Sequence, residues 1–153
     1  MKPSRSCEIY IDGASRGNPG PAGAGAVFLD LPAAPHKRDG LGAAQAGGAH
    51  TPVRELSKPL GHTTNNVAEY LALIYALQEA LQAGYNTVAV KTDSELLVRQ
   101  LSGEYRVRDP QLKLFHDLAV HLRKGFARCE ISHVPRTENR LADALAGRAA
   151  DRG

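Results

Sequence analysis

The chain has 153 residues, of which 42% are hydrophobic, so we expect a single domain over 1–153. Its formal net charge of +3 is compatible with a polyanionic partner. Its two cysteines, Cys7 and Cys129, are too few and too far apart for a disulfide scaffold or a cysteine-based zinc site. The sequence has neither an apolar run near the roughly 20 residues that cross a bilayer nor a secretory stretch before the first predicted strand, so we expect a cytoplasmic monomer that does not enter a membrane.

The N-terminal part of the chain predicts a hairpin followed by a third strand. Residues 7–12 alternate and are rich in β-formers, and residues 24–31 predict a hairpin partner. The connecting segment, GASRGNPGPAGAG, predicts a turn, because its glycines lack the spacing of the phosphate-binding glycine motifs. Residues 32–50 lack periodicity and predict a long mobile loop, and residues 51–60 can supply a third strand.

The remainder of the chain alternates between predicted helices and strands. Val67, Tyr70, Ile74 and Leu77 belong to an apolar stripe of period 3.6, which predicts an amphipathic helix that ends before Gly84. After it come a buried strand at 87–92, helices at 94–101 and 110–124, a strand at 127–134 and a helix at 141–150. Three consecutive strands followed by this alternation predict a mixed sheet flanked by helices, an α/β (α+β mixed) fold.

Acidic residues stand at the ends of four separate predicted elements, and these residues are Asp12, Glu69, Asp93 and Asp143. If the first and fourth strands are parallel neighbours, Asp12 and Asp93 lie side by side at their carboxyl ends, and the helix that starts at the same edge carries Glu69 in its first turn. Clustered carboxylates resist ionisation unless a cation compensates them, and oxygen ligands suit Mg²⁺ or Mn²⁺. The pattern therefore predicts a metal-dependent phosphoryl-transfer enzyme.

Each of these acids also has a purely structural alternative. The alternatives are a turn at Asp12-Gly13, a capping box of Asn66 with Glu69, a helix cap by Asp93 or Ser94, and a solvated helix position for Asp143. Arg136 is either an ordinary exposed arginine or a cation beside the scissile phosphate. The convergence of all four acids on one predicted edge favours the functional interpretation.

Four segments resemble, in order, the signature of the type 1 ribonuclease H family, and they are YIDGASRGNPGPAGAG, TTNNVAEYLAL, KTDSELLVRQL and PRTENRLADALA. The resemblance extends from about Glu8 to Ala150. It implies a ribonuclease H-like, five-stranded mixed sheet flanked by helices. It also implies endonucleolytic hydrolysis of the RNA strand of RNA–DNA hybrids, with 5′-phosphate and 3′-hydroxyl products.

The resemblance further implies which residues form the site. Two divalent ions, Mg²⁺ with Mn²⁺ able to substitute, would be held by Asp12, Glu69, Asp93 and Asp143. Contacts with the hybrid would come from Gly13, Ser15, Asn18, Asn65 and Asn66 on the RNA strand and from Thr64 on a DNA phosphate. Thr64 and Asn65 can also cap a helix, and both roles can hold at once. Because the contacts address the backbone and the 2′-hydroxyl, little sequence preference is expected.

The sequence departs from the family pattern at three places. Residues 103–109 are too short for the basic protrusion of many members, so Arg106 and Arg108 would supply part of its charge. Glu95 stands where many members have glutamine. Many members also have a histidine in the loop before the last aspartate; the loop before Asp143 has none, and Arg136 is the candidate for the equivalent role. A binding module without activity, a single-strand exonuclease and an additional double-stranded RNA substrate remain open alternatives.

Overall fold

The computed structural model describes residues 5–31 and 52–152, and the predicted loop at 32–50 lies outside these ranges. The strands are β1 (Ser6–Ser15), β2 (Gly20–Leu31), β3 (Pro52–Thr63), β4 (Thr87–Thr92) and β5 (Arg128–His133). The helices are α1 (Asn65–Gln82), α2 (Glu95–Leu101), α3 (Pro110–Arg123) and α4 (Arg140–Arg152), with a short 3₁₀ turn at Arg136–Glu138. None of these helices combines the length and apolarity that a membrane-crossing helix needs.

The strands form one mixed sheet in the order β3-β2-β1-β4-β5. β1 pairs antiparallel with β2, β2 pairs antiparallel with β3, and β4 runs parallel to both β1 and β5. The predicted mixed sheet with flanking helices is therefore confirmed. The last pair between β1 and β4 joins Ile11 to Thr92, so Asp12 and Asp93 each follow directly at the shared carboxyl edge.

The two faces of the sheet carry different helices. Ala24 and Ala26 of β2 belong to the main core together with Leu73 and Leu77 of α1. The glycines that alternate with these alanines in β2 face the backbone of α4. Because successive strand residues point to opposite faces, α1 and α4 lie on opposite sides of the sheet.

The prediction of a turn over the whole glycine-rich segment was wrong. Gly13 to Ser15 are paired residues of β1, and β2 already begins at Gly20, which leaves only residues 16–19 for the turn. A Cβ atom at Gly25 would lie 2.4 Å from the carbonyl oxygen of Ala142, closer than real Cβ contacts come. The glycines of β2 therefore mark the place where a helix backbone meets the sheet.

Short polar side chains define where the helices begin. The Oγ1 atom of Thr64 accepts from Val67 N at 3.3 Å, and the Oγ atom of Ser94 accepts from Leu97 N at 3.2 Å. Asp109 caps α3 in the same way, with Pro110 in its first turn. The caps of α1 and α2 are therefore supplied without the neighbouring acids Glu69 and Asp93.

Gly25→Ala tests the close approach of α4 to β2. The added methyl group must displace α4, so we expect a loss of about 3 kcal/mol in the free energy of unfolding. Gly103→Ala is the matched control, because a Cβ there meets nothing within 4 Å and only the positive φ of 88° opposes it. Its expected cost is about 1 kcal/mol. Urea unfolding followed by circular dichroism measures both variants, and equal losses would contradict the packing explanation.

Candidate active site

Three of the predicted acids meet at the carboxyl edge of the sheet. Asp12 comes from β1 and Asp93 from the residue after β4, whereas Glu69 lies in the second turn of α1, one turn later than expected, because the helix already begins at Asn65. Each of the three has a carboxylate oxygen within 4.8 Å of the others. Asp12 is 5% exposed and Glu69 is 7% exposed, whereas Asp93 is partly exposed. The expected gathering of acids from separate elements is thus present in the fold.

Asp143 lies at the rim of the same cleft, which has a volume of about 210 Å³. Its side chain is 45% exposed and lies outside the tight group of three, although its charge helps to raise the pKa of Asp12. Arg136 places its Nη2 atom 3.9 Å from Asp143 Oδ1 with a side chain that is 81% exposed. Asp143 and Arg136 therefore form the solvent-facing side of the site.

The position of Glu69 depends on Gly13. A Cβ atom at Gly13 would lie 2.3 Å from the carbonyl carbon of Ala68, so only glycine lets β1 come this close to α1. The contact allows Gly13 N to donate to Glu69 Oε1 at 3.0 Å within the protein interior. Since Thr64 is the cap, the capping-box alternative for Glu69 was wrong, and its carboxylate is directed into the cleft instead.

For Asp93, too, a neighbouring residue supplies the helix cap. Ser94 supplies the cap of α2, and its own N–H donates to Thr92 Oγ1 at 3.0 Å. The helix-cap alternative is therefore satisfied by Ser94 alone, and Asp93 lines the cleft.

Burial and mutual repulsion make the two interior carboxylates hard to ionise. Desolvation, followed by the charge of Glu69 and a hydrogen bond with Asp143, raises the pKa of Asp12 far above its ordinary value. Desolvation, followed by the charge of Asp93, raises the pKa of Glu69 to about 8, against the lowering effect of the Gly13 N–H. Asp12 and Glu69 are therefore protonated or compensated by a cation at neutral pH.

The donor set fits a hard divalent cation. All donors of the cluster are carboxylate oxygens, and their spacing lets three residues reach one ion together. Arg136 is too exposed to compensate the interior charges, because solvent screens its interaction strongly. The cluster of Asp12, Glu69 and Asp93 can thus hold a metal ion, with Asp143 beside it.

The predicted substrate-binding residues lie along the end of β1, the turn that follows it and the start of α1. Asn18 Oδ1 accepts from Asn65 N at 3.0 Å, and Ser15 Oγ donates to Thr63 O at 2.9 Å. These bonds hold the turn against the helix start, and Gly13, Ser15 and Asn65 line the acidic cleft. Asn66 is exposed but is outside the set that lines the cleft.

Glu95, which departs from the family pattern, is engaged with its own helix. Its carboxylate accepts from Arg99 Nη2 at 2.9 Å, and Arg99 also bonds Glu104 at 2.8 Å. The guanidinium carbon of Arg99 lies 5.4 Å from the centre of the Tyr105 ring, which is half exposed. The exposed Tyr105 therefore stands beside Arg99, which is itself held between Glu95 and Glu104.

Sequence reasoning missed two residues that connect the site. Arg16 donates to Asp151 Oδ1 at 2.9 Å and to Gly147 O at 3.3 Å, which fastens the β1–β2 turn to α4. Asn139 is 1% exposed, and its Nδ2 donates to Ile11 O at 2.8 Å. Asn139 precedes a helix, where asparagine usually caps, so the sequence held no signal of this contact.

Comparisons with known proteins agree with this architecture. The family described as reverse transcriptase-like matches residues 10–149. Ribonuclease HI of Halobacterium salinarum is 40% identical over 153 residues, which cover 99% of this chain and 68% of that protein. The bifunctional protein Rv2228c of Mycobacterium tuberculosis is 41% identical over 143 residues. The match covers 94% of this chain and 35% of that protein.

Solved structures show the same fold. The crystal structure of RNase H1 from the halophilic archaeon Halobacterium salinarum superposes with a TM-score of 0.82 at 38% identity, covering 97% of this chain and 99% of that one. LC11-RNase H1, solved in complex with an RNA/DNA hybrid, gives a TM-score of 0.77 at 36% identity over 95% of this chain and 97% of that chain. With its sheet order, its carboxylate cluster and these relatives, the chain belongs to the type 1 ribonuclease H family.

Proposed function

We propose that this chain is an endoribonuclease that hydrolyses the RNA strand of RNA–DNA hybrids and leaves 5′-phosphate and 3′-hydroxyl ends. The observation that carries the proposal is the group of three carboxylates within 4.8 Å of one another, two of them buried. Membership of the family and the hybrid-bound LC11-RNase H1 support the substrate. We also propose that the segment 1–153 acts as one ribonuclease H domain.

The acidic residues are proposed to hold two Mg²⁺ ions, which Mn²⁺ can replace. When bound, such ions lower the pKa of attacking water and stabilise the negative charge on the leaving oxygen. Asp12 would be the central ligand, because it belongs to the tight group with Glu69 and Asp93 and also feels the charge of Asp143. Glu69 is fixed by the Gly13 N–H, whereas the more exposed Asp143 is the ligand most free to move.

The reaction itself is a displacement at phosphorus. The oxygen of water attacks phosphorus while water gives up one proton to solvent, the bond from phosphorus to the 3′-oxygen breaks, and the leaving oxygen takes up a proton from solvent. Arg136 extends into solvent beside Asp143, where a phosphodiester at the cleft would find a positive charge. Arg136 is therefore proposed to hold the scissile phosphate, and the carboxylates to orient the attacking water.

Recognition of the RNA strand is proposed for the turn and helix start that border the acids. With its Oδ1 engaged by Asn65 N, Asn18 keeps its amide N–H groups for a 2′-hydroxyl. Ser15 and the backbone at Gly13 lie inside the cleft next to the acids. Asn65 and Asn66 extend this surface, and Thr64 is proposed to meet a phosphate of the DNA strand at the N-terminus of α1.

Asp12→Asn tests the catalytic proposal directly. Loss of the central carboxylate should lower cleavage of a labelled RNA–DNA hybrid by several orders of magnitude with either Mg²⁺ or Mn²⁺, because the cations lose their shared ligand. Asp117→Asn is the control, since Asp117 is an exposed carboxylate on α3 paired with Lys113. A panel of hybrid, double-stranded RNA, single-stranded RNA and DNA identifies the substrate. Undiminished cleavage by the Asp12 variant would refute the proposal.

Stability of the metal-free protein should fall as pH rises. Folded Glu69, with a pKa of about 8, and Asp12 keep protons that the unfolded chain releases near pH 4. Their contribution is therefore complete below about pH 4 and disappears as pH rises towards 8 and beyond, at up to about 1.4 kcal/mol per pH unit for each group.

Thermal unfolding in EDTA between pH 5 and 9 measures this effect, set against the same series in Mg²⁺. Bound cations should largely remove the slope, because they take the place of the protons. Asp12→Asn should give a shallower slope in EDTA, whereas Asp117→Asn should keep that of the wild type. A flat wild-type profile in EDTA would show that the two interior carboxylates ionise normally.

Asn18→Ala should weaken the choice of RNA over DNA. It removes both the acceptor for Asn65 N and the amide groups proposed for the 2′-hydroxyl, so kcat/KM on the hybrid should fall about tenfold. Gln78→Ala, an exposed substitution on α1, the helix that Asn18 contacts through Asn65, should leave kcat/KM unchanged. Steady-state kinetics on hybrids with single 2′-deoxy substitutions locate the contact, and an Asn18 variant with the wild-type profile would exclude it.

A further inference from the structure

Asn139 connects the two elements that carry Asp12 and Asp143. It directly precedes α4, and its backbone oxygen accepts from Asp143 N at 3.0 Å, the first hydrogen bond of that helix. Its side-chain Nδ2 donates to the carbonyl of Ile11 at 2.8 Å. Ile11 is bonded to Asp12 in the chain, so one buried side chain joins the backbone segments that carry Asp12 and Asp143, and both of these residues line the same cleft.

In this contact the side chain of Asn139 does not act as a helix cap. An asparagine before a helix commonly accepts from the first turn through Oδ1. Here the Ile11 carbonyl can only accept, so the amide nitrogen must face it, and Oδ1 is left buried without a hydrogen-bond partner among the described residues. Buried polar atoms are rarely left unpaired, and the exceptions concentrate where function constrains the structure.

The Ile11 carbonyl lies where the support of β1 by β4 ends. Ile11 and Thr92 are the last pair of these two strands, and Asp12 follows beyond that pair. The 3₁₀ turn at Arg136–Glu138 is also joined to Asn139, because Asn139 N donates to Arg136 O at 3.0 Å. Asn139 is therefore placed to fix the start of α4, with Asp143, relative to the end of β1.

We propose that Asn139 is a positioning residue that sets the place of Asp143 against Asp12 and thereby the affinity of the site for divalent cations. The inference rests on the proposed function only in taking these carboxylates as the metal site. Residues that hold metal ligands in place typically change metal affinity by 10–100-fold when they are replaced. Asn139 would act through Asp143 and Asp12 without touching the cation or the substrate.

Titration calorimetry with Mn²⁺ alone tests the inference on the full chain. Asn139→Ala should bind Mn²⁺ roughly tenfold more weakly than the wild type. Asn139→Ser is a second loss variant, less disruptive because it keeps a polar atom, and it should show the same direction. Tyr85→Phe is the matched control, since it removes a 2.7 Å hydrogen bond to Asp30 at the opposite end of the sheet. The control should lose stability but keep wild-type affinity.

A double-mutant cycle separates positioning from general weakening of the fold. If Asn139 acts through Asp143, Asn139→Ala should have little further effect on Mn²⁺ affinity once Asp143→Asn is present. Full additivity, or unchanged Mn²⁺ affinity in both Asn139 variants, would overturn the inference. Cleavage of the hybrid by the wild type tests the proposed function separately, so it can stand when the inference fails.

Discussion

Contact between backbones without intervening side chains controls the architecture of this molecule. At Gly13 the first strand meets the first helix so closely that a Cβ atom would overlap the backbone at Ala68, and Gly25 meets the last helix in the same way. These approaches bring helices from both faces of the sheet to one edge. Asp12, Glu69 and Asp143 each stand next to one of these approaches, whereas Asp93 is brought to the same edge by the pairing of β4 with β1.

The same close packing places carboxylates next to one another, where their negative charges repel. Asp12 and Glu69 are almost wholly buried, and each carboxylate feels the charge of its neighbours, so the pKa values of both rise. A protein without a use for these acids would gain stability by replacing them with neutral side chains. The arrangement costs stability in the absence of a cation, which is the physical mark of a site built for one.

Much of the fold follows from local patterns. The stripe that includes Val67, Tyr70 and Leu77 repeats with the helical period, and α1 occupies that part of the chain. The glycine-rich segment was wrongly predicted to be a turn throughout, because glycine is common both in turns and where two backbones touch. Only the position of α4 distinguishes the two cases. Asn139 was missed for a related reason, since its partner Ile11 lies 128 positions away in the chain.

The sequence by itself determined the chain order of strands and helices, the short polar segments where α1 and α2 begin, and the identity of the acids, because periodicity and capping act over a few residues. Only the tertiary structure decided what each polar residue does. Glu69 and Asp93 could have capped helices, and they face a shared cleft because neighbouring residues satisfy those helix ends. Asn139 could have done the same, yet it bonds β1 because packing places a carbonyl within its reach. Such choices depend on distances between segments remote in the chain, which no local pattern records.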